Sequence, residues 1–391
     1  MNHTASTAFV REIMMDFAGL TGLEPPGARP VRYLWTDAFA VCAYLELFRR
    51  TNDETCLDLA LRLVDKVHYI LGRHRDDDAR RGWISGLSET EGALHPTAGG
   101  LRIGKRMNER KAGEPPDPRL EWDRDGQYYH YLTKWMHALN RVAAATRDPV
   151  YLRWAMELAQ AAHAAFTYDP PAGDRKRMYW KMSIDLARPL VSSMGLHDPL
   201  DGLVTYHELQ TAVARNFEGS VQLDLFHESA DAAAICRGMS FATDDPLGTG
   251  GLLFDASRIA QLIREGGFCD EGLLISVMDA ALLGLESFVA SNTLALPADV
   301  RLAFRELGLA IGLKGVENLQ EEIREHPGVF GGSSSLQQRA EALMGYVPLA
   351  DTIDQFWMDK RNREASTWIE HREINMVMLA TSLAPGEFLR V

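Results

Sequence analysis

The chain has 391 residues, 46% of them hydrophobic and 24% charged, with no low-complexity segment, so it reads as folded throughout. Its formal net charge is −13, from 54 acidic against 41 basic residues. No Lys/Arg stripe interleaves with aromatics, and phosphate neutralisation needs clustered basic residues, so nucleic acid is excluded as a partner.

The first stretch, "MNHTASTAFVREIMMDF", carries Glu12 and Asp16 and lacks the basic-then-apolar order of a signal peptide. The longest apolar runs, such as "GLLISVMDAALLGLESFVA", contain acids and fall short of an uninterrupted membrane span. A cytoplasmic protein without membrane contact is expected. Cys42, Cys56, Cys236 and Cys269 form no close pairs, which points to neither a disulfide framework nor a zinc pattern, and Cys42 in its apolar run is expected in the core.

Strand signals are nearly absent, and apolar residues recur at helical spacing through most of the chain. After an N-terminal helix near 6–20, paired helices are predicted at 35–50 with 53–72 and at 126–146 with 148–167. These two pairs are related by an offset of 95 residues, which aligns Thr51 with Thr146, Asp53 with Asp148, Ala60 with Ala155, Leu63 with Leu158 and His68 with His163. The T-x-D unit between the helices supplies side-chain oxygens for the free N–H groups of the second helix. Asp-Pro turns recur at Asp198-Pro199 and Asp245-Pro246. Further pairs are predicted at 179–195 with 199–215, 228–242 with 250–265, 270–291 with 298–326 and 337–361 with 367–383.

About six helical hairpins must either stack as an open solenoid or close on themselves to bury their apolar faces. Closure is favoured by the unequal connections, with a long insertion at 73–125. It is favoured also by the aromatic-plus-charge signature at the starts of first helices: Trp35 with Asp37, Trp122 with Asp125, Trp180 with Lys181, Phe268 with Asp270 and Trp368 with Glu370. The expected fold is therefore all-α, a single (α/α)6 toroid domain over 1–391.

On these features the chain resembles the six-hairpin glycosidase superfamily, whose (α/α)6 toroids include glucoamylases, unsaturated glucuronyl hydrolases and, as a structural relative, the N-acylglucosamine 2-epimerases. The resemblance implies a sugar held in a funnel lined by the entries of the inner helices and the loops before them.

Glycoside hydrolysis needs two carboxyl groups, one protonated and one ionised, and Asp37, Asp123, Asp125, Glu228 and Asp270 form the pool that could supply them. A helix N-terminus favours the ionised form, so Asp123 and Asp125 suit a base or nucleophile, the competing role being that Asp125 only caps its helix. Trp35, His95, Arg102, Glu121, Trp122, Tyr128, His130, Trp368 and His371 are expected to contact substrate, and the basic residues of the insertion would suit an acidic sugar or a phosphate. Glu121, Asp123, Asp125 and Gly126 match the start of a calcium loop, but Leu132 stands where its bidentate Glu belongs. His227, Glu228 and Asp231 lack the second His of a zinc helix. Neither a metal nor a cofactor is expected. The leading expectation is a glycoside hydrolase acting on a short oligosaccharide or glycoside, with a small carbohydrate as its partner and a homodimer left open. A sugar epimerase or isomerase using His130 and His371 is the second reading, and a non-catalytic helical binding protein the third.

Overall fold

The computed structural model describes residues 3–27, 31–171, 173, 175–330 and 334–391. In chain order the helices are α1 (His3–Leu20), α2 (Leu34–Thr51), α3 (Glu54–Leu71), the short α4 (Glu89–Leu94) and α5 (Pro118–Asp123), α6 (Tyr129–Thr146), α7 (Pro149–Phe166), α8 (Asp198–Asn216) and α9 (Phe226–Cys236). They continue as α10 (Pro246–Arg264), α11 (Glu271–Ala290), α12 (Ala303–Glu325), α13 (Ser334–Met344), α14 (Pro348–Met358), α15 (Ser366–Glu370) and α16 (Arg372–Leu383). The strands span two or three residues each: β1 (Gln127–Tyr128), β2 (Thr167–Tyr168), β3 (Arg177–Met178), β4 (Lys181–Met182) and β5 (Pro189–Val191). The protein is all-α. The chain divides into two compact units, the first from 21–45 and 54–239, the second from 1–20, 46–53 and 240–391.

Two grades of helix alternate along the chain. α3 buries one stripe, Cys56, Leu59, Ala60, Leu63, Val64, Val67, His68 and Leu71, at the i, i+3, i+4 spacing of a helix with one face in water. α6, by contrast, buries Leu132, Thr133 and the run from Trp135 to Ala143. Among the described residues, α2, α6, α8, α10, α12 and α16 are of this deeply buried kind, the helix complement that six hairpins require. In the second unit α10 and α12 approach closely through glycines: a Cβ on Gly250 would lie 2.2 Å from the carbonyl oxygen of Gly308, and one on Gly312 would lie 2.3 Å from that of Gly250.

The T-x-D turn repeats in atomic detail. In the first unit Thr146 Oγ1 donates to the Val142 carbonyl at 2.8 Å and accepts from Asp148 N at 3.3 Å, while Asp148 accepts from Val150 N. In the second unit Thr51 Oγ1 makes the same bonds to Leu47 and Asp53, at 2.7 and 3.3 Å. The intervening Asn52 and Arg147 are left-handed, with φ of 53° and 60°.

The helix expected at 179–195 is instead an antiparallel hairpin, with Lys181 opposite Val191 and Met182 opposite Pro189. Pro189 cannot continue a helical ladder, and Asp185 stabilises the turn by accepting from Ser183 Oγ and Ala187 N, at 2.7 and 3.1 Å. The loss of this helix shifts the pairing by one. As with α2 and α6, the buried helix comes first in each later pair, so α8 packs with α9 and α10 with α11. Glu228 and Asp270, assigned to inner-helix entries, therefore lie at the starts of the more exposed α9 and α11.

One further expectation is corrected. Glu271–Ala295 is long and apolar enough to cross a membrane by length and composition. As α11 it packs on α10 and α13 with Leu274, Val277, Met278, Ala281 and Leu285 buried, and its Asp279 accepts from Arg339 Nε at 2.7 Å.

His68 marks the contact of α3 with α6 and α7. Trp135 Nε1 donates to His68 Nε2 at 3.1 Å, and the rings of Trp135 and Trp154 stand edge-on to it at 5.6 and 5.0 Å. Burial lowers the His68 pKa from 6.5 to about 3, so the ring is neutral and Nε2 is free to accept. Because the folded value lies below the unfolded one, this contribution to stability is complete above pH 6.5 and is lost as pH falls toward 3, by at most about 1.4 kcal/mol per pH unit. Urea-unfolding free energies of wild type and H68Q should converge between pH 7 and pH 4; a gap that stays constant would remove His68 as the titrating group.

Candidate functional site

The first unit brings three buried-helix entries together, and the insertion builds the ground beneath them. Asp125, immediately before β1, is fully buried and accepts four bonds: from Arg75 Nη1 at 3.1 Å, Arg102 Nη1 at 2.9 Å, Gly104 N at 2.9 Å and Gly126 N at 3.1 Å. Next to it, Gly126 has φ of +147° and sits where a Cβ would lie 2.6 Å from the Met182 carbonyl oxygen. That close approach lets Gln127 and Tyr128 pair with Met182 and Lys181 in a three-stranded sheet of order β1-β4-β5.

Lys181 is buried under the Tyr128 ring, with Nζ 5.4 Å from its centroid, and donates to the carbonyls of Glu121 and Arg124 at 2.6 and 2.8 Å. Burial lowers its pKa to about 8, with the Glu121 charge opposing the shift. Glu121 itself accepts from Arg110 Nε at 2.6 Å.

On this base stands an aromatic wall. The His130 ring is stacked within 24° of Tyr128, at 5.4 Å, and within 15° of Trp180, at 6.4 Å. Tyr131 meets His130 edge-on at 4.9 Å, and Trp122, 55% exposed, meets Trp180 at 5.2 Å. From the α2 entry, Tyr33 and Tyr131 share a hydrogen bond between hydroxyls at 2.7 Å, and Trp35 lies 6.4 Å from Tyr131. From the α8 entry, Asp198 brings Oδ1 to 3.4 Å from His130 Nδ1. Gly195 packs on that carboxylate so closely that a Cβ there would lie 2.4 Å from Oδ2. One turn on, Asp201 accepts from Thr133 Oγ1 at 2.5 Å and Lys134 Nζ at 2.6 Å.

Of the expected carboxylates, Asp37 is buried, accepts from Arg32 Nη1 at 3.3 Å and Tyr33 N at 3.1 Å, and has its pKa raised by burial to about 6 against the opposing charge of Arg32. It braces the α2 entry from within the core. Asp125 braces the insertion in the same way. Asp123 ends α5 and is exposed. Glu228 is half-buried in the first turn of α9. Asp270, in the second unit, is the N-cap of α11, accepting from Leu273 N at 2.8 Å.

The expected binding residues divide similarly. Trp35, Trp122, Tyr128 and His130 join the wall. Arg102 is spent on Asp125 and on the carbonyls of Arg73 and Ile70, Glu121 is spent on Arg110, and His95 Nδ1 meets Glu157 of α7 at 2.7 Å. In the second unit Trp368 is buried against Trp357 at 5.6 Å, and His371 meets Phe304 edge-on at 5.4 Å. Among the described residues, no group of three or more His, Cys, Asp or Glu side chains could hold a metal ion.

Asp198 was absent from the expected site because its Asp-Pro step matches Asp148-Pro149 and Asp245-Pro246. Those two aspartates cap their helices through the side chain, whereas Asp198 lies inside α8 behind His197 and makes no cap bond. The readable signal was Asp201, three residues on and hence on the same helical face.

No family model matches the chain, and no curated protein matches it either. Solved structures do. A sugar epimerase from a ruminal bacterium is 12% identical with a TM-score of 0.47, over 91% of this chain and 88% of its own. Cellobiose 2-epimerases from Spirochaeta thermophila DSM 6192 and Bacillus thermoamylovorans B4167 are 13% and 10% identical, with TM-scores of 0.48 and 0.43. The first of these matches covers 96% of this chain and 97% of its own, the second 81% and 76%. At these values the chemistry has to be read from this chain's own side chains.

The Asp125 clamp gives a direct test of its structural duty. Asp125→Ala strands two buried guanidinium groups and two backbone donors, so it should lower unfolding stability by roughly 3–5 kcal/mol. A denaturation midpoint within error of wild type would show that the clamp holds nothing.

Proposed function

We infer that the wall at the α6 entry is a sugar-binding site at which His130 moves a proton, making the protein a carbohydrate-active enzyme of the epimerase or isomerase kind. The observation that carries this reading is the environment of His130. The ring is partly exposed, its side chain 31% accessible, and it lies near-parallel to the rings of Tyr128 and Trp180, which touch each other at 5.1 Å, while Asp198 Oδ1 stands 3.4 Å from Nδ1. Nδ1 makes no hydrogen bond at that distance, and a shortening of the contact to Asp198 would hold the proton on Nδ1 and leave the Nε2 lone pair as the base. Ring faces are the natural companions of a pyranose, whose axial C–H groups pack against them.

In an open-chain aldose, the C2 proton is acidic because the carbanion delocalises onto the C1 carbonyl oxygen. Nε2 takes that proton and an enediolate remains. Return of the proton to C1, with the O2 proton passing to O1, gives a ketose, and return to C2 after the intermediate turns its opposite face to Nε2 gives the epimer. In either case the atoms balance without a cofactor. The paired-carboxylate hydrolase finds less support: Asp37 and Asp125 have their oxygens committed to arginines and backbone N–H groups, and Asp270 caps a helix.

The test is hydrogen exchange in D2O. Wild type incubated with glucose, mannose or cellobiose should wash out the H2 proton signal, and the product, ketose or C2 epimer, tells isomerase from epimerase. His130→Asn should slow exchange by roughly 10²-fold or more, the usual worth of a general base, while Trp180→Ala should chiefly weaken sugar binding. Cleavage of aryl glycosides without any exchange would replace this reading by the hydrolase one.

A further inference from the structure

We propose that Lys105 makes this site selective for an anionic sugar, one carrying a carboxylate or a phosphate; this rests on the reading of the aromatic wall as a sugar site. The insertion at 73–125 is dense in charge, and nearly all its half-buried cations are spent. Arg73 pairs with Glu89, Arg75 with Asp77 and Asp125, Arg80 with Asp78, Glu109 and Asp185, Arg102 with Asp125, Arg110 with Glu121 and Arg124 with Glu114. Arg81, Arg106, Lys111 and Arg119 are exposed to solvent. Lys105 is the exception: it is half-buried, and among the described residues its ammonium has neither an acidic partner nor a hydrogen bond.

Its backbone, in contrast, is firmly held. Arg75 Nη1 donates to the Lys105 carbonyl at 2.5 Å, Arg75 Nη2 to the Arg106 carbonyl at 2.8 Å, and Gly104 N to Asp125 at 2.9 Å. Gly104 adopts φ of +94° where a Cβ would lie 2.2 Å from the Arg32 carbonyl oxygen. The chain is thus forced through a conformation open to glycine, and the residue that follows directs its ammonium over the Tyr33 ring, 5.4 Å from the centroid. Tyr33 is bonded to Tyr131, which in turn touches His130. The cation therefore stands at the rim of the same wall, two ring contacts from the proposed base. A ring face partly satisfies an ammonium and leaves its N–H donors available, whereas a carboxylate partner would occupy them.

The experiment compares binding of D-glucuronate, D-glucose 6-phosphate and D-glucose to the full chain at low ionic strength, by titration calorimetry or saturation-transfer NMR. Wild type should prefer at least one of the two anions over glucose by roughly fivefold to tenfold. The arm that shows the preference decides between carboxylate and phosphate. Lys105→Met, which keeps the stem over Tyr33, should reduce the anion's affinity to that of glucose and leave glucose itself unchanged; Lys105→Arg should retain the preference. Equal affinity for all three sugars in wild type, or a preference that survives in K105M, overturns the anionic assignment while leaving the sugar site intact. Failure of all three to bind, with Trp180→Ala indistinguishable from wild type, overturns the sugar site and this inference with it.

Discussion

The wall depends on how one buried carboxylate is satisfied. Asp125 is wholly shielded from water, and removing a carboxylate from water costs several kcal/mol unless donors surround it. Arg75 and Arg102 reach it from one end of the insertion, and Gly104 and Gly126 offer backbone N–H groups close by. These four bonds fold a charged stretch of some fifty residues back onto the start of α6. Arg75 and Arg102 then use their remaining N–H groups on the carbonyls of Lys105, Arg106, Arg73 and Ile70, so the clamp also fixes the strand of chain that carries Lys105. In the sequence cluster that resembled a calcium loop, Glu121 and Asp125 face arginines and Asp123 faces solvent.

The same economy extends to the neighbouring hairpin. Gly126 allows β1 to lie against Met182, and Lys181, pulled inward by the carbonyls of Glu121 and Arg124, passes below the Tyr128 ring. Trp180, one residue before β4, is thereby set parallel to His130. His130 packs near-parallel to Tyr128 and Trp180 and edge-on to Tyr131, with the Asp198 carboxylate 3.4 Å from its Nδ1. Positioning of this kind is what proton transfer to and from carbon requires, because the reacting C–H must meet the lone pair in line.

The parts of the fold legible in the sequence were those with local causes. T-x-D units are read correctly because Thr and Asp act on backbone groups within four residues, and amphipathic stripes such as that of α3 are visible in any window. What failed was the interval 179–195, whose alternating Met182, Ile184 and Leu190 resemble a helical stripe as readily as a short strand when only two or three residues pair. That single error displaced the layer assignment of every later helix. It sent Glu228 and Asp270 to the expected site and kept Asp198 out of it. Trp35, Trp122, Tyr128 and His130, expected as binding residues, flank helix starts that were correctly placed, and they meet in the wall. Tyr33 was not singled out, since its role arises from a contact 98 residues away along the chain, whereas Lys105 was among the basic residues of the insertion expected to suit an acidic sugar or a phosphate.

The contrast between acids and histidine in this site follows from what each can do once buried. A carboxylate in the core must be paired to remain charged, and pairing consumes the lone pairs that chemistry would need; Asp125 and Asp37 illustrate both halves of that statement. A neutral imidazole carries no such debt. His68 shows the structural extreme, deprotonated by burial and accepting from Trp135, whereas His130 keeps a partly exposed ring whose Nδ1 makes no hydrogen bond. A sequence rich in aromatic-plus-acid pairs thus suggested carboxylate catalysis, but in a first unit so dense in arginine the acids are the natural structural counter-ions.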